Sequence, residues 1–321
     1  MFRRIFFAAA MTAALMANIA SPQPACAAPA SRPAAFQPTR FSVVVEGSGP
    51  DVIMIPGLTS NRRVWDQAVA SLGGRYRVHR LQIAGFGGEP ARGNAEGPVL
   101  GPVVEELHAY IAANRLERVS VVGHSIGGLM ALMLAQRHPE DVGKAMIVDA
   151  LPFFGALFGP QATAETVAPQ AAAFRDGIAG MSDEAFRAQQ TATIASLAMT
   201  ESARPALVAD SLASDRGMVA RAVYEDMTTD MRPALTSLGT PLTVVYAVNP
   251  HATEATYGVL MRSGYSGAIR VRFEPVEPSY HFIMLDQAER FAGLLGAFLS
   301  GLEDCGQTRM NAAGVAEPRH C

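Results

Sequence analysis

Apolar and polar positions along the chain follow two alternating rhythms. Dense apolar runs at residues 41–45, 52–55, 78–83, 119–122 and 145–148 predict strands. The turn Glu46-Gly47-Ser48-Gly49-Pro50 separates the first two. Between the strands, residues 102–114 place Val103, Leu107, Tyr110 and Ile111 on one side of a helix, and residues 129–137 predict another. Two further strands are expected at 242–247 and 269–273, with a closing helix at 287–299. Alternation of this kind predicts an α/β fold: a mostly parallel sheet with helices on both faces. The rhythm fails between about residues 153 and 237, a stretch rich in Ala and Met with helical spacing and no convincing strand. It predicts a helical cap inserted over one end of the sheet.

The first 27 residues follow a different pattern. Arg3 and Arg4 precede an almost wholly apolar run at 5–20, Ser21-Pro22-Gln23-Pro24 interrupts it, and Ala25-Cys26-Ala27 supplies small residues. That order predicts a signal peptide cleaved after Ala27, hence a periplasmic or secreted protein with no stable membrane insertion after cleavage. Residues 28–40, rich in Ala and Pro, are expected to be a linker. Residues 41–301 form the main domain and 302–321 a tail. Cleavage leaves Cys305 and Cys321, which an oxidising compartment would join as a disulfide.

Composition narrows the function further. With 49% hydrophobic residues in 321, the chain can bury one large core and a subdomain. A net charge of -3 without a basic stripe argues against a nucleic-acid partner. No His and Cys spacing suggests a metal site, and the glycine-rich turns do not match phosphate or dinucleotide fingerprints, so no cofactor is expected.

The candidate chemistry centres on Gly123-His124-Ser125-Ile126-Gly127, which follows a strand directly and opens a helix. A sharp strand-to-helix turn strains the serine backbone and requires small neighbours, which Gly123 and Gly127 supply. The turn lifts the Ser125 hydroxyl clear of the sheet and aims it at a helix N-terminus, where negative charge is favoured.

With these features the sequence resembles the α/β-hydrolase family over nearly all of the chain from residue 41 to the closing helix. Ile53-Met54-Ile55-Pro56-Gly57-Leu58 is similar to the family's oxyanion-hole segment, and the resemblance implies the backbone N–H groups of Leu58 and Ile126 as oxyanion donors. Gln82-Ile83-Ala84-Gly85-Phe86-Gly87-Gly88 resembles another family segment, with Gln82 where an aspartate usually stands. Ser279-Tyr280-His281-Phe282-Ile283-Met284-Leu285-Asp286 resembles the catalytic-histidine loop, implying that His281 takes the Ser125 proton and returns it to the leaving group.

The third member of the triad stays open in the sequence. The family's acid usually follows the strand at 242–247, but Asn249 holds that position here. Asp149, at the end of the strand after the elbow helix, is one candidate, Glu254 a second, and Asn249 acting alone a third. The resemblance implies a serine hydrolase cleaving an ester, thioester or lactone through an acyl-enzyme. Trp65, Phe86, Phe153 and Phe154 are candidate walls of a pocket for an apolar acyl or lactone substrate. Two other readings keep the scaffold: carbon–carbon bond hydrolysis or perhydrolysis with the same Ser and His, and a binding protein without catalysis.

Overall fold

A computed structural model describes residues 36–301 and the backbone of two short paired strands, Arg309–Met310 and Ala316–Glu317. The expected signal peptide, most of the linker, and Cys305 and Cys321 lie outside the described residues. Seven strands build the main sheet: β1 (Phe41–Glu46), β2 (Asp51–Ile55), β3 (Arg77–Ile83), β4 (Val119–His124), β5 (Val142–Val148), β6 (Leu242–Ala247) and β7 (Val271–Val276). Their spatial order is β1-β3-β2-β4-β5-β6-β7, with β1 antiparallel to β3 and every other pair parallel.

The central strands are nearly unbroken apolar sequence because both of their faces are covered. All six residues of β6 are buried, as are the last four of β2. On one face pack α2 (Leu100–Ala113) and α3 (Ile126–Arg137), with α8 (Val259–Gly264) contributing Met261. On the other lie α1 (Asp66–Ser71), α9 (Ile283–Asp286) and α10 (Ala288–Ser300), around Trp65, Phe291 and Leu295. The short helices α1, α8 and α9 span four to six residues, too few for a legible period in the sequence. Strand β7 runs to Val276, three residues past the expected end, and β5 starts at Val142, ahead of the expected 145.

Between β5 and β6 the described chain holds only helices: α4 (Ala164–Gly180), α5 (Asp183–Leu197), α6 (Arg204–Leu212) and α7 (Arg216–Thr228), with short turns between them. Local chemistry starts them. Thr163 and Thr166 form a reciprocal capping box for α4, and the Ser182 hydroxyl accepts from Ala185 N to cap α5. The group is fastened to the sheet at several points. Asp215 N donates to Gly85 O at 2.7 Å, and Arg63 pairs with Asp210 at 2.8 Å. Glu225 accepts from Val99 N and Leu100 N, at 2.7 and 2.9 Å, where α2 begins. Among the described residues no helix is long and apolar enough to cross a membrane.

Candidate active site

Every candidate group sits where a parallel strand ends. Register places Ile55 beside Gly123 and His124 beside Val148, so the exits of β2, β4 and β5 lie side by side. Ser125, one residue past β4, has φ 55° and ψ −128°, a strained conformation for a residue with a side chain. Its glycine neighbours are required by space. A Cβ on Gly127 would stand 2.4 Å from Ile55 O and 2.7 Å from Pro56 O, and one on Gly123 would stand 2.2 Å from Gly127 O. All of these are backbone atoms that cannot move aside. Ser125 itself stays partly exposed while both flanking residues are buried.

Positive φ is not spread evenly. Six non-glycine residues among those described adopt it, and three of them, Thr59, Ser125 and Asp149, lie at these adjacent strand exits. Such conformations cost about 1–3 kcal/mol each and concentrate at functional sites. Asp149 follows β5 directly. Its Oδ2 accepts from His281 Nδ1 at 2.7 Å, and its Oδ1 accepts from Ala247 N at 2.9 Å. Both carboxylate oxygens are therefore engaged, and the imidazole is held by Nδ1 with Nε2 left for other work.

The His281 loop is fixed on both sides. Asp286 Oδ2 accepts from Tyr280 N at 3.0 Å and from Met199 N at 3.1 Å, while Phe282 N donates to Leu197 O at 3.2 Å. The histidine loop is thereby tied to the end of α5. His124 adds a third support. Its Nε2 lies 3.1 Å from His281 O, which as a carbonyl only accepts, so Nε2 carries the proton. The two rings lie 4.5 Å apart, which sets His281 beside the elbow. Burial, with a smaller contribution from the neighbouring His281, holds the His124 pKa well below the usual imidazole range. His124 is thus a neutral packing and positioning group. Among the described residues its Nδ1 has no partner and faces the Gly57 backbone, where an added Cβ would approach within 2.8 Å.

The remaining parts fit around these. Among the described residues no backbone carbonyl accepts from Leu58 N or Ile126 N, leaving both N–H groups available. Gly57 lies so close to Ser125 that an added Cβ would come within 3.2 Å of its Cβ. Ser125 Oγ carries no hydrogen bond among the described residues, a common state before substrate closes the site. Gln82 braces the oxyanion segment. Its Oε1 accepts from Arg62 N at 2.8 Å, and its Nε2 donates to Ser60 O at 3.1 Å and to Phe86 O at 2.9 Å. An aspartate has no donor for those two carbonyls, which explains glutamine at this position.

The two other acid candidates are engaged elsewhere. Asn249 folds its own loop: Oδ1 accepts from His251 N and Ala252 N, and Nδ2 donates to Ser279 O at 3.0 Å. Glu254 accepts from the Tyr246 hydroxyl at 2.9 Å and pairs with Arg262. Neither is bonded to His281 among the described residues, because the exit of β5, beside the elbow, already supplies the partner.

A cleft of about 710 Å³ opens over Asp149 and His281. Phe154, Leu157, Ala192, Ala195 and Leu197 give it an apolar wall, while Tyr257, Tyr280 and Asn249 contribute polar groups. Of the four expected pocket aromatics only Phe154 lines this cleft. Trp65, Phe86 and Phe153 are at most 1% exposed and packed in the core, where rings of that size gain most from burial. Tyr257, unforeseen in the sequence, lines the same cleft beside Asp149. Burial first, and the charge of Asp149 next, push its phenol pKa well above the usual range. It therefore keeps its proton.

At the opposite ends of the strands, His108, His138 and Asp141 hold their potential ligand atoms within 4.8 Å of one another. Each ring already bonds a carboxylate, His108 to Asp141 at 2.8 Å and His138 to Glu105 at 2.9 Å. Three separate elements supply these side chains, so no spacing in the sequence announces them.

Comparison with known proteins follows the same lines. A sequence profile of the alpha/beta hydrolase family matches residues 52–294. The pimeloyl-[acyl-carrier protein] methyl ester esterase of Aeromonas hydrophila is 38% identical over 116 residues, 36% of this chain and 44% of that protein. The esterase of the same description from Nitrosomonas europaea is 33% identical over 108 residues, 34% of this chain and 40% of its own length. The chain thus aligns with less than half of these relatives. Among solved structures, an enol-lactonase from Burkholderia xenovorans superposes with a TM-score of 0.65 at 18% identity, covering 81% of this chain and 96% of that one. An esterase from Exiguobacterium antarcticum gives 0.68 at 19% identity, covering 81% and 95%. At those identities the likeness speaks to the fold.

Proposed function

The chain belongs to the alpha/beta hydrolase family, and from that premise we propose that it is a serine hydrolase cleaving carboxylic esters, thioesters or lactones through an acyl-enzyme. The observation that carries this reading is the 2.7 Å bond from His281 Nδ1 to Asp149 Oδ2, with the imidazole set beside the strained Ser125 elbow. In this reading Ser125 Oγ attacks the substrate carbonyl as its proton passes to His281 Nε2. Asp149 holds Nδ1–H and stabilises the imidazolium that forms. The N–H groups of Leu58 and Ile126 receive the oxyanion, each contributing about 3 kcal/mol to the transition state. Collapse of the tetrahedral intermediate breaks the carbonyl–oxygen bond, and the leaving alcohol takes the Nε2 proton. Water then repeats the sequence on the acyl-serine and releases the acid.

A cleft of this volume with an apolar wall supports a medium-sized acyl or lactone substrate. The partial relatives that carry methyl ester esterase descriptions favour esters within that class. The leader pattern of the sequence supports a periplasmic or secreted location as part of this proposal, and fractionation of expressing cells tests it.

The reaction itself is tested with a panel of nitrophenyl esters, acyl thioesters and lactones, with and without hydrogen peroxide. The expected result is ester or lactone turnover with a pre-steady-state burst, and no gain from peroxide. Turnover confined to carbon–carbon substrates or dependent on peroxide would replace this reading with its neighbours.

A further inference from the structure

The histidines at the far ends of the strands have no task in the hydrolase reading. Glu105 and His108, three residues apart, share one face of α2. His138 caps the C-terminus of α3, and Asp141 leads into β5. Backbone bonds fix the last two: Asp141 N donates to His138 O at 3.0 Å, and Asp141 O accepts from Val119 N at 2.8 Å where β4 begins. The length of β4 separates this group from Ser125, about 20 Å for a strand of that size.

The two imidazoles lie face to face, 3.8 Å between centroids and 8° from parallel. Each spends one nitrogen on a carboxylate, His108 Nδ1 on Asp141 Oδ2 at 2.8 Å and His138 Nε2 on Glu105 Oε2 at 2.9 Å. The other nitrogens, His108 Nε2 and His138 Nδ1, have no hydrogen bond among the described residues. An imidazole oriented by a carboxylate at one nitrogen and open at the other is the arrangement of metal-bound histidines.

One ligand atom from each of His108, His138 and Asp141 lies within 4.8 Å of the others. Around an ion with bonds of about 2.0–2.1 Å, tetrahedral neighbours stand about 3.3 Å apart. The cluster therefore closes by about 1.5 Å, within reach of one turning ring. His108, with 35% of its side chain exposed against 17% for His138, is the ring with room to turn. Charge points the same way. Three carboxylates, Glu105, Asp141 and Glu140, the last 3.9 Å from His138, face one guanidinium, Arg137 on Glu105. The excess is two negative charges, at the negative end of the α3 dipole. Two nitrogens with a carboxylate suit zinc and its borderline neighbours rather than Mg2+ or Ca2+, which take shells of oxygen.

We propose that His108, His138 and Asp141 bind one divalent transition ion of the zinc type, with Glu105 orienting His138 and water completing the shell. The ion clamps α2 to the end of α3 and the start of β5, and its role is stability rather than reaction. The site does not depend on the hydrolase reading.

The test titrates untagged full-length protein, stripped with EDTA, with Zn2+, and with Mg2+ and Ca2+ as controls, by calorimetry and thermal melting. One equivalent of Zn2+ is expected to bind, with a melting temperature that rises with Zn2+ concentration, and neither effect from the controls. His108→Gln and His138→Gln each weaken binding by at least about a hundredfold, and Glu105→Gln by about tenfold to a hundredfold. Joint Cys305→Ser and Cys321→Ser substitution leaves binding unchanged, which separates this site from a thiolate site in the tail. Imidazole NMR of the wild type gives the same reading without substitution at the site. There Zn2+ shifts two ring signals and leaves that of His281, assigned by its loss in His281→Ala, in place. Binding unchanged in both histidine variants, binding lost with the cysteines, or Zn2+ held no tighter than Mg2+ overturns the proposal and leaves the stack as two surface ion pairs.

Discussion

Replacing Asp149 by Asn changes a few atoms and poses a definite conflict. The wild-type carboxylate accepts from two donors, His281 Nδ1–H and Ala247 N–H. An asparagine has one accepting oxygen and one donating amide. If its oxygen stays with the buried Ala247 N–H, its amide faces Nδ1 and forces that nitrogen to accept. The imidazole proton then sits on Nε2, which can no longer take the Ser125 proton. If the amide flips, two N–H groups confront each other in a buried site, at a cost of about 1–3 kcal/mol. Either arrangement removes the productive tautomer or the negative charge behind the imidazolium. The expected loss in kcat is roughly ten-thousandfold, about 5.5 kcal/mol of transition-state stabilisation. Ester hydrolysis in Asp149→Asn, Glu254→Gln and Asn249→Asp, each with a melting curve, measures it. Glu254→Gln touches a partly exposed pair with Arg262, so activity is expected to stay within about threefold. Asn249→Asp on the Asp149→Asn background does not restore activity, because the donation to Ser279 O has no counterpart in a carboxylate. A folded Asp149→Asn enzyme within tenfold of wild type, or a Glu254→Gln enzyme as impaired as Asp149→Asn, refutes the reasoning.

Two further predictions concern pH and stability. His124 is neutral in the fold with its pKa well below 6.5, whereas the unfolded chain takes up a proton near 6.5. Its contribution is therefore complete above pH 6.5 and declines as pH falls below it, by at most about 1.4 kcal/mol per pH unit. The melting-temperature gap between wild type and His124→Asn should narrow on going from pH 7.5 to 5.5, and parallel curves would contradict this. Asp226 behaves oppositely, since its pKa rises from 3.8 unfolded to about 7 folded. Its cost is absent below pH 3.8, grows up to pH 7 and is constant above. Asp226→Asn should melt higher than wild type at pH 8 and level with it near pH 3.5. An equal gap at both would mean the carboxyl is solvated.

Legibility in the sequence tracked how local each signal was. The strands, the elbow and the histidine loop are continuous stretches whose residue types report their own conformation. Gly123 and Gly127, for example, are dictated by backbone atoms within the same strand–turn–helix unit and the loop beside it. The partner of His281 depended on something no stretch records, the register that sets His124 opposite Val148 and brings Asp149 to the elbow. Asn249 lies at the exit of β6, one strand farther along the sheet, and folds its own loop instead. Size and hydrophobicity also misdirected the pocket. Trp65, Phe86 and Phe153 have the side chains a pocket would use, and the same property drew them into the core. Tyr257 and Asp286 gain their places beside the site from cap and loop packing between distant parts of the chain. Neither periodicity nor spacing marks them.

The central claim, an activated Ser125 served by His281 and Asp149, is tested most directly by fluorophosphonate labelling of the purified protein. The wild type, Ser125→Ala and His281→Ala are compared at equal concentration, with mass spectrometry locating the adduct. The account predicts a single adduct on Ser125 in the wild type, none in Ser125→Ala, and labelling slowed by orders of magnitude in His281→Ala. A folded wild type that takes no label, or a Ser125→Ala variant that labels as fast, would contradict it.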